Sequence, residues 1–439
     1  MPNPIPIQLQ DRLSDEELEN LKPYLKKSER GQPIAFEGRM DVRNFVEEKI
    51  IQVRSGYAPE DCNTVIIEGA PGAGKSSLLR QIKEDTEENA VNQDVIPLLF
   101  EVESLNNPVM FLQRLLSHQR TDFEALSKSY AKAGSRKVNL KLFEFGGGIS
   151  HHFPSLADRI RNSPEEIWNA VRESLQGKID PIFLLLIDES QRIEPNKNDK
   201  NTLATNMHGV TDIAGLKIIP VFAGLSDTGY RLKKVGITRP AEKAFNLGLL
   251  EQDEGIHVCR STIQTMNISK LFKSNDLDTV CAYLDNASDG WPRHLHHYVR
   301  HFVHEVLNSH EEGRDWVDLN YVLDLGHDNR IEYYQDRLNE TDWELADKVL
   351  NDVAKKSATK EPLTFGTLHK SFGDVIGHAN VKSVLQQYVH DGIFDKNRDG
   401  TYSFPIPSLR TFLANDRDVL ATKNALQNRL RTQNPLDTN

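Results

Sequence analysis

The stretch from Val65 to Ser76 reads VIIEGAPGAGKS, a short apolar segment followed by a glycine-rich turn, a lysine and a serine. From Gly69 onward it fits the pattern GxxxxGK(S/T) at every fixed position, and helix-forming sequence follows directly. Glycines let backbone N–H groups approach phosphate oxygens, and the N-terminus of the following helix favours negative charge. The stretch therefore predicts a strand, a phosphate-binding loop and a helix.

A second motif complements this loop. The apolar run Ile182–Ile187 ends in two carboxylates, and a buried strand of this kind places them at the carboxyl edge of a parallel sheet, where ligands bind. In phosphoryl-transfer sites a lysine neutralises phosphate charge, a serine and an aspartate hold Mg²⁺, and a glutamate activates water. In that order, these roles predict Lys75, Ser76, Asp188 and Glu189 as the centre of a site for a nucleoside triphosphate and Mg²⁺. The candidate base favours hydrolysis over a nucleotide-binding scaffold without turnover.

The fold class follows from further apolar runs at Val95–Phe100 and Leu216–Phe222. Short runs separated by helical sequence are typical of strands covered on both faces in a parallel sheet. The predicted fold is α/β, a P-loop NTPase with a parallel sheet covered by helices, followed by an α-helical lid and a C-terminal winged-helix domain. The predicted domains are an N-terminal arm at 1–33, the core at 34–250 with a hairpin insert at about 119–160, the lid at 251–340, the winged helix at 341–415 and a polar tail at 416–439.

Local signals place elements outside the core. Ser14, with Glu17 three residues later, forms a capping-box pattern that predicts a helix from Asp15 to about Lys22. Near the C-terminus the sequence predicts three helices and two short strands, which is the order of a winged helix. The predicted helices are Trp343–Val353, Phe365–Phe372 and Asn380–His390, and the strands flank Asn397-Arg398-Asp399-Gly400.

The order of motifs resembles that of the AAA+ ATPases, and four further segments agree with that family. Gly38-Arg39 resembles the segment that lies over the adenine. Gly290-Trp291-Pro292-Arg293 resembles the second sensor, G-x-P-R, whose arginine reaches the γ-phosphate. The strand Ile218–Ala223 leads to the position of a polar sensor, for which Ser226 is preferred, with Asp227 and Thr228 as alternatives. Ile237-Thr238-Arg239 resembles the element that donates an arginine finger to a neighbouring subunit, although Thr238 replaces the usual serine and Arg231 competes for the role.

The resemblance implies two sets of site residues and an assembly. The implied catalytic residues are Lys75, Asp188, Glu189, Ser226, Arg239 and Arg293. The implied nucleotide-binding residues are Arg39, Gly69, Ala70, Pro71, Gly72, Ala73, Gly74, Lys75, Ser76 and Ser77. An arginine finger that acts on a neighbour implies a homo-oligomer.

Within the family, the lid, the G-x-P-R segment and the winged helix look most like the initiator branch, that is, origin-recognition-type and transposition-helper ATPases. This resemblance implies an ATP-controlled oligomeric switch or loader in a DNA transaction. The hairpin insert has no place on the initiator core, so a second hypothesis stays open. It is a STAND-like or defence-type signalling NTPase that regulates a protein effector, with the winged helix as a structural or docking module.

DNA contact is a separate question. In a winged helix the third helix enters the major groove and the wing touches phosphate, which predicts contacts from Lys382, Gln386, Gln387, Lys396, Asn397 and Arg398. Residues 341–415 contain nine lysines and arginines and nine aspartates and glutamates, whereas nucleic-acid modules usually have a clear positive footprint. Both DNA contact and protein docking therefore remain open. The hairpin insert offers a second candidate contact, against the alternative of solvated surface charge, through Arg136, Lys137 and Lys141.

Composition limits the remaining possibilities. The 439 residues include 53 basic and 64 acidic ones, and the net charge of −11 disfavours coating of nucleic acid by the overall field. No apolar run approaches the ~20 residues of a membrane span, and the first residues lack a secretory signal, so a cytoplasmic protein without membrane contact is expected. Cys62, Cys259 and Cys281 lack disulfide or zinc spacing and are predicted to be buried. Five histidines are predicted as core or interface residues rather than metal ligands, because no cysteine or carboxylate is evidently placed to complete a metal site with them: His294, His296, His297, His301 and His304.

Overall fold

The computed structural model describes residues 6–29, 34–56, 64–102, 181–193, 217–234, 243–339, 344–357, 362–397, 399–415, 417–418, 421–423 and 425–426. The predicted hairpin insert with its three basic residues, the finger candidate Arg239, the wing residue Arg398 and Cys62 lie outside the described residues. The chain divides into two compact units. The first comprises Met1–Arg39, Gly69–Ser77 and Leu247–Asn439, and the second comprises Met40–Glu68 and Leu78–Asn246.

The described strands, in chain order, are β1 (Pro6–Gln8), β2 (Val65–Gly69), β3 (Val95–Glu101), β4 (Ile182–Asp188), β5 (Lys217–Gly224), β6 (Lys243–Leu247), β7 (Trp316–Asp318), β8 (Asp395–Lys396) and β9 (Tyr402–Ser403). The described helices are α1 (Asp15–Glu29), α2 (Met40–Arg54), α3 (Lys75–Glu88), α4 (Thr228–Lys234), α5 (Gln252–Thr265), α6 (Ser274–Ser288), α7 (Pro292–Glu311), α8 (Leu319–Asn339), α9 (Glu344–Ser357), α10 (Phe365–Ile376), α11 (Val381–His390) and α12 (Pro407–Ala414).

A five-stranded sheet, in the order β3-β4-β5-β2-β6, forms the centre of the second unit. The pairs β3 with β4, β4 with β5, and β5 with β2 are parallel. Six of the seven residues of β4 and seven of the eight of β5 are buried, as expected of strands covered on both faces. The predicted α/β class with a parallel sheet is therefore confirmed. The strand β6 was not predicted, because its sequence, KAFNL, contains no continuous apolar run.

Helices that flank this sheet use regular apolar spacing. In α2 the buried apolar residues are Val42, Val46, Ile50 and Val53, and in α3 they include Leu78, Leu79 and Ile82. Intervals of three and four residues place them on one face of each helix. Among the described residues, no helix has the length and apolar character needed to cross a membrane.

The carboxyl ends of β2, β5 and β4 meet at one edge of the sheet, because β5 lies between the other two. Glu68 of β2 is opposite Gly224 of β5, and Ile187 of β4 is opposite Phe222. Asp188, the last residue of β4, therefore lies at the edge where ligands bind in parallel sheets.

The first unit contains a helical core built from α5, α6, α7 and α8. The buried residues of α7 recur at helical intervals, and Cys259 and Cys281 are buried in the same core, as predicted. The amino-terminal segment also belongs to this core, because β1 pairs antiparallel with β7 and Leu13 is buried there. The predicted capping box begins α1: Glu17 N–H donates to Ser14 Oγ at 3.3 Å, and Ser14 N–H donates to Glu17 Oε2 at 2.8 Å. The helix continues to Glu29, past the predicted end near Lys22.

Residues 344–414, called here the C-terminal module, contain α9, α10 and α11, the antiparallel pair β8 and β9, and α12. A bridge also joins Leu363 to Tyr402. The three helices and two strands come in the order that the winged-helix prediction requires, and the assignment itself stays a prediction. The core of the module is formed by large side chains that are fully buried, namely Leu350, Phe372, Tyr388, Phe394 and Phe412.

Candidate nucleotide-binding site

The phosphate loop connects β2, which ends at Gly69, to α3, which begins at Lys75. Gly72 and Gly74 both have φ of 91°, a conformation that side chains with a Cβ rarely adopt. A Cβ on Gly69 would lie 2.6 Å from the carbonyl oxygen of Leu247. Backbone geometry thus requires glycine at the positions that the motif specifies. Successive amides in a loop of this kind form a concave site for anions.

Lys75 follows the loop, and its side chain reaches back to the first loop residues. Its Nζ donates to the carbonyl oxygens of Gly69 at 2.7 Å and Ala70 at 3.1 Å. Ser76 and Ser77 follow in the first turn of α3 and are half-buried. A cation, the helix N-terminus and two hydroxyl-bearing residues therefore belong to one short segment, and this donor set fits the oxygen atoms of a triphosphate.

In the second unit, the acidic pair lies at the end of β4, with Asp188 as its last residue and Glu189 directly after it. Asp188 Oδ1 accepts the N–H of Glu189 at 2.9 Å. Glu189 itself has φ of 56°, in the left-handed region. Its side chain therefore points in a different direction from that of a residue in a regular strand. The carboxylate of Glu189 accepts the side-chain amide of Gln191 at 2.6 Å and lies 3.5 Å from Nε of Arg192. The predicted base is therefore held by two neighbours in its own turn.

Three sensor candidates follow β5 in the same unit. Ser226 is half-buried, whereas Thr228 is fully buried and its hydroxyl has no partner among the described residues. A Cβ on Gly224 would meet that hydroxyl at 2.2 Å and the side-chain oxygen of Gln191 at 2.9 Å. Thr228 therefore approaches the turn that carries Glu189, and Ser226 stays a prediction.

Asp227 and Arg231 are bonded to each other. Arg231 Nε donates to Asp227 Oδ2 at 2.7 Å, and a terminal nitrogen of the same guanidinium donates to the carbonyl oxygen of Gln191 at 3.1 Å. Arg231 thus makes contacts within its own unit, next to the acidic pair. These contacts favour a local role for Arg231 over that of a finger offered to a neighbour.

The first unit brings Arg293 to the phosphate loop. The stem of Arg293 lies 3.2 Å from the position of a Cβ on Gly72, and its guanidinium carbon is 4.5 Å from the ring centroid of Tyr333. Tyr333 was missed by the sequence analysis, yet its hydroxyl donates to the carbonyl oxygen of Pro71 at 2.8 Å. Trp291 is fully buried, with its indole nitrogen 3.0 Å from the same Gly72 position. The predicted second sensor therefore contacts the loop.

Arg39 is fixed beside α5. Its backbone N–H donates to Glu254 Oε1 at 2.7 Å, and its guanidinium donates to the carbonyl oxygens of Gly248 at 2.6 Å and Leu249 at 3.2 Å. Both Gly38 and Arg39 have positive φ, of 83° and 54°. The segment predicted to cover the adenine is thus anchored to the connection between β6 and α5.

The predicted DNA-contacting residues are on the surface of the C-terminal module where they are described. Lys382 and Gln386 are exposed on one side of α11, and Lys396 and Asn397 are exposed at β8 and the following residue. Gln387 is also exposed, but its amide donates to the Asp391 carboxylate at 3.0 Å. The histidines behave differently. His294 is fully buried and bonds to Tyr334 at 2.9 Å, and the part of the chain that the structure describes contains no group of side chains suited to a metal ion.

Comparisons with known proteins agree with this arrangement. Residues 59–219 match the family described as AAA domain. A Walker-type ATPase of Pyrococcus abyssi superposes with a TM-score of 0.50 at 14% identity, over 87% of this chain and 98% of that one. The ORC2 protein of Aeropyrum pernix, solved as ADPNP–ADP complexes, superposes with a TM-score of 0.53 at 11% identity, over 91% of this chain and 96% of that one. A search of curated protein sequences finds no match.

The fold and the loop together define the class. Residues 59–219, which match the AAA domain family, contain the P-loop and three of the parallel-paired strands of the sheet, β2, β3 and β4. The fold of the chain is similar to that of the ORC2 protein of Aeropyrum pernix.

Proposed function

We propose that this protein is a Mg²⁺-dependent ATPase that acts as an ATP-controlled oligomeric switch or loader in a DNA transaction. The observation that carries the proposal is the phosphate loop, in which Lys75 is already bonded to the loop carbonyls and two glycines have φ of 91°. The position of Asp188 and Glu189 at the carboxyl edge of the sheet supports hydrolysis. The resemblance to the initiator branch supports the role in a DNA transaction.

In the proposed reaction each residue has one task. Lys75 neutralises charge on the β- and γ-phosphates, and Glu189 takes the proton of the attacking water. Ser76 and Asp188 are the residues that would hold Mg²⁺, which supplies charge neutralisation across the phosphates when bound. Arg293 contacts the γ-phosphate from α7. In the same proposal, Arg39 lies beside the adenine, and Gly69 to Ser77 bind the phosphates.

Two observations favour a second candidate function. Residues 341–415, which contain the C-terminal module, are formally neutral, and Gln387, one of the module's predicted base contacts, is already bonded to Asp391. These facts favour a signalling NTPase whose module docks a protein effector. Under either function the chemistry at the phosphate loop is the same.

The first prediction tests nucleotide binding and hydrolysis. Lys75→Ala should lose binding of Mg²⁺-ATP, because the loop loses its cation. Glu189→Gln should keep binding and lose roughly 10²-fold or more in turnover, the lower range for removal of a general base. Titration calorimetry and phosphate release measure the two properties. Undiminished turnover in Glu189→Gln would remove Glu189 from the mechanism.

The same assay in the presence of duplex DNA distinguishes the functions. A DNA switch predicts stimulated turnover and DNA binding that weakens steeply with salt. Lys382→Ala combined with Lys396→Ala should reduce that binding, and Lys83→Ala on α3, a lysine paired with Glu87, serves as the surface control. If DNA neither binds nor stimulates when ATP is present, the signalling function is favoured.

A further inference from the structure

The phosphate loop is contacted by a turn of the C-terminal module. Gly392, just after α11, has φ of 72° and lies so close to Pro71 that a Cβ on it would be 2.2 Å from Pro71 Cδ. A methyl group at position 392 does not fit against the Pro71 ring unless one of the two residues moves. The turn formed by Asp391 and Gly392, called here the seated turn, therefore contacts the loop directly.

A second contact reaches the same proline from α8. The hydroxyl of Tyr333 donates to the carbonyl oxygen of Pro71 at 2.8 Å. The guanidinium carbons of Arg293 and Arg337 lie 4.5 and 5.0 Å from the centroid of the Tyr333 ring, within the range of cation–π interactions. Arg337 also donates to the carbonyl oxygen of Asp391. One aromatic ring thus connects the loop, the predicted γ-phosphate sensor and the seated turn.

The seated turn is also connected to the exposed face of α11. Both carboxylate oxygens of Asp391 accept the side-chain amide of Gln387 at 3.0 Å. Gln387 lies on the surface that would meet DNA or a protein partner. A partner that draws Gln387 away therefore acts on the residue next to Gly392.

We propose that the C-terminal module regulates the phosphate loop through this contact. With the turn seated, Gly392 and Tyr333 hold Pro71 and keep the loop in the conformation that binds ATP; a partner that displaces the module loosens the loop. The inference rests on the proposed ATP-binding role of the loop. Linkage requires the reverse effect as well, so ATP binding strengthens the seating of the module by the same factor.

The direction of the effect follows from the loop itself. Its glycines are in left-handed conformations, and the ammonium of Lys75 is already bonded to its carbonyls. A loop that must order itself on binding loses affinity, because fixing its residues costs conformational entropy. Contacts on both sides of Pro71 reduce the number of residues that binding must order.

The test compares two glycines of the same module. Gly392→Ala should weaken binding of Mg²⁺-ATP by at least about fivefold, the lower end of typical coupling between sites. Gly400→Ala is the matched control, because Gly400 also has a positive φ of 83° but a Cβ there meets no atom of the described residues within 4 Å. Equal affinities in the two variants, both folded, would overturn the proposal.

Two further variants make the result independent of folding defects. Pro71→Ala removes the atoms that the new methyl group meets, so Gly392→Ala in a Pro71→Ala background should have little further effect on affinity. Tyr333→Phe keeps the ring beside both arginines and loses only the bond to Pro71, which should weaken ATP binding about two- to tenfold. The proposal would be contradicted if Gly392→Ala weakened ATP binding by the same factor in the wild-type and in the Pro71→Ala background. Unchanged ATP affinity in Tyr333→Phe would also contradict it.

Hydrogen exchange supplies a readout besides affinity. In the wild-type chain, saturating Mg²⁺-ATP should slow exchange of the backbone amides of α11, and in Gly392→Ala this protection should be lost. If the wild-type chain binds no ATP, the proposed function fails. If it binds ATP while α11 exchanges at the same rate with and without nucleotide, only the regulatory role fails.

Discussion

Gln191 gives the acidic pair its local setting. It donates its amide to Glu189 Oε2 at 2.6 Å, and it is 8% exposed. Its side-chain oxygen has no partner among the described residues, and the unpartnered hydroxyl of Thr228 approaches the same point beside Gly224. A buried amide that bonds a carboxylate fixes its direction more firmly than solvent does. Gln191 is thus a positioning residue for the proposed base.

This setting leads to the second prediction. Gln191→Leu should lower kcat about tenfold with little change in KM, since a hydrogen bond to a charged group contributes about 1.5–3 kcal/mol. Steady-state ATPase kinetics measure the split. Gln81→Leu is the matched control, because Gln81 donates to Asp85 at 2.8 Å in a pair on α3. A normal kcat in Gln191→Leu would show that groups other than Gln191 position Glu189.

At the scale of elements, α7 and α8 contain a set of histidines that the fold keeps neutral. Burial is the first cause that lowers their pKa, and nearby Arg330 contributes for His294 and His327. The pKa of His297 and of His327 falls to about 3, and that of His294 falls well below its ordinary value. These residues serve the packing of the two helices as uncharged groups.

The third prediction is a loss of stability in mild acid. Below pH 6.5, the ordinary pKa of histidine, the unfolded chain binds protons that the folded chain excludes, so the free energy of unfolding falls as pH decreases. Asp285 opposes this trend, because burial raises its pKa to about 7 and the folded chain then holds a proton that the unfolded chain releases. The three histidines together change the free energy of unfolding more than the single carboxyl group does, so the net effect of acid is a loss of stability. Urea unfolding at pH 7.5 and 5.5 should therefore give a lower midpoint in acid.

A substitution at one histidine sharpens that measurement. His327 is fully buried, and neither of its ring nitrogens has a partner in the described part of the chain. His327→Leu should reduce the difference between the two pH values and preserve stability at pH 7.5, because an apolar side chain of similar size replaces a neutral ring. An unchanged difference would show that the acid sensitivity arises elsewhere.

At the level of the whole molecule, the contacts of Arg231 bear on how subunits would assemble. Arg231 is bonded to Asp227 and to the carbonyl oxygen of Gln191 within its own unit. That leaves Arg239 as the preferred finger for a neighbouring subunit. A finger in trans completes a site only in an oligomer, so hydrolysis would depend on protein concentration.

The fourth prediction tests this arrangement by mixing subunits. Arg239→Ala should lower turnover of the assembled protein about 10³-fold, the lower estimate for an arginine finger. Mixing it with Lys75→Ala subunits should restore part of the activity, because one protomer then supplies the finger and its neighbour supplies the intact loop. Arg231→Ala should not be rescued in the same mixture. Absence of rescue for Arg239→Ala would end the assignment of a finger in trans.

Comparison of sequence and structure separates two kinds of feature. The loop Gly69–Ser76 was predicted because backbone geometry alone requires its glycines, and the strands β2 to β5 were predicted because burial on both faces leaves an apolar run. The end of α1 was predicted too early, near Lys22, and β6 was missed, because neither the C-terminal end of α1 nor the edge strand β6 has a strong local signal.

The phosphate loop, the acidic pair and the parallel α/β class follow from the amino-acid order alone, since each depends on neighbouring residues that constrain φ or follow a strand. The folded chain was needed to show that Tyr333 bonds to Pro71, 262 positions away, and that Gly392 lies against the same proline. Such contacts depend on how the helices and the C-terminal module pack, and a tyrosine or a glycine in those positions has no distinguishing pattern in the chain. The physical reason is that local conformation is governed by adjacent backbone sterics, whereas long-range contacts are governed by the burial of whole elements.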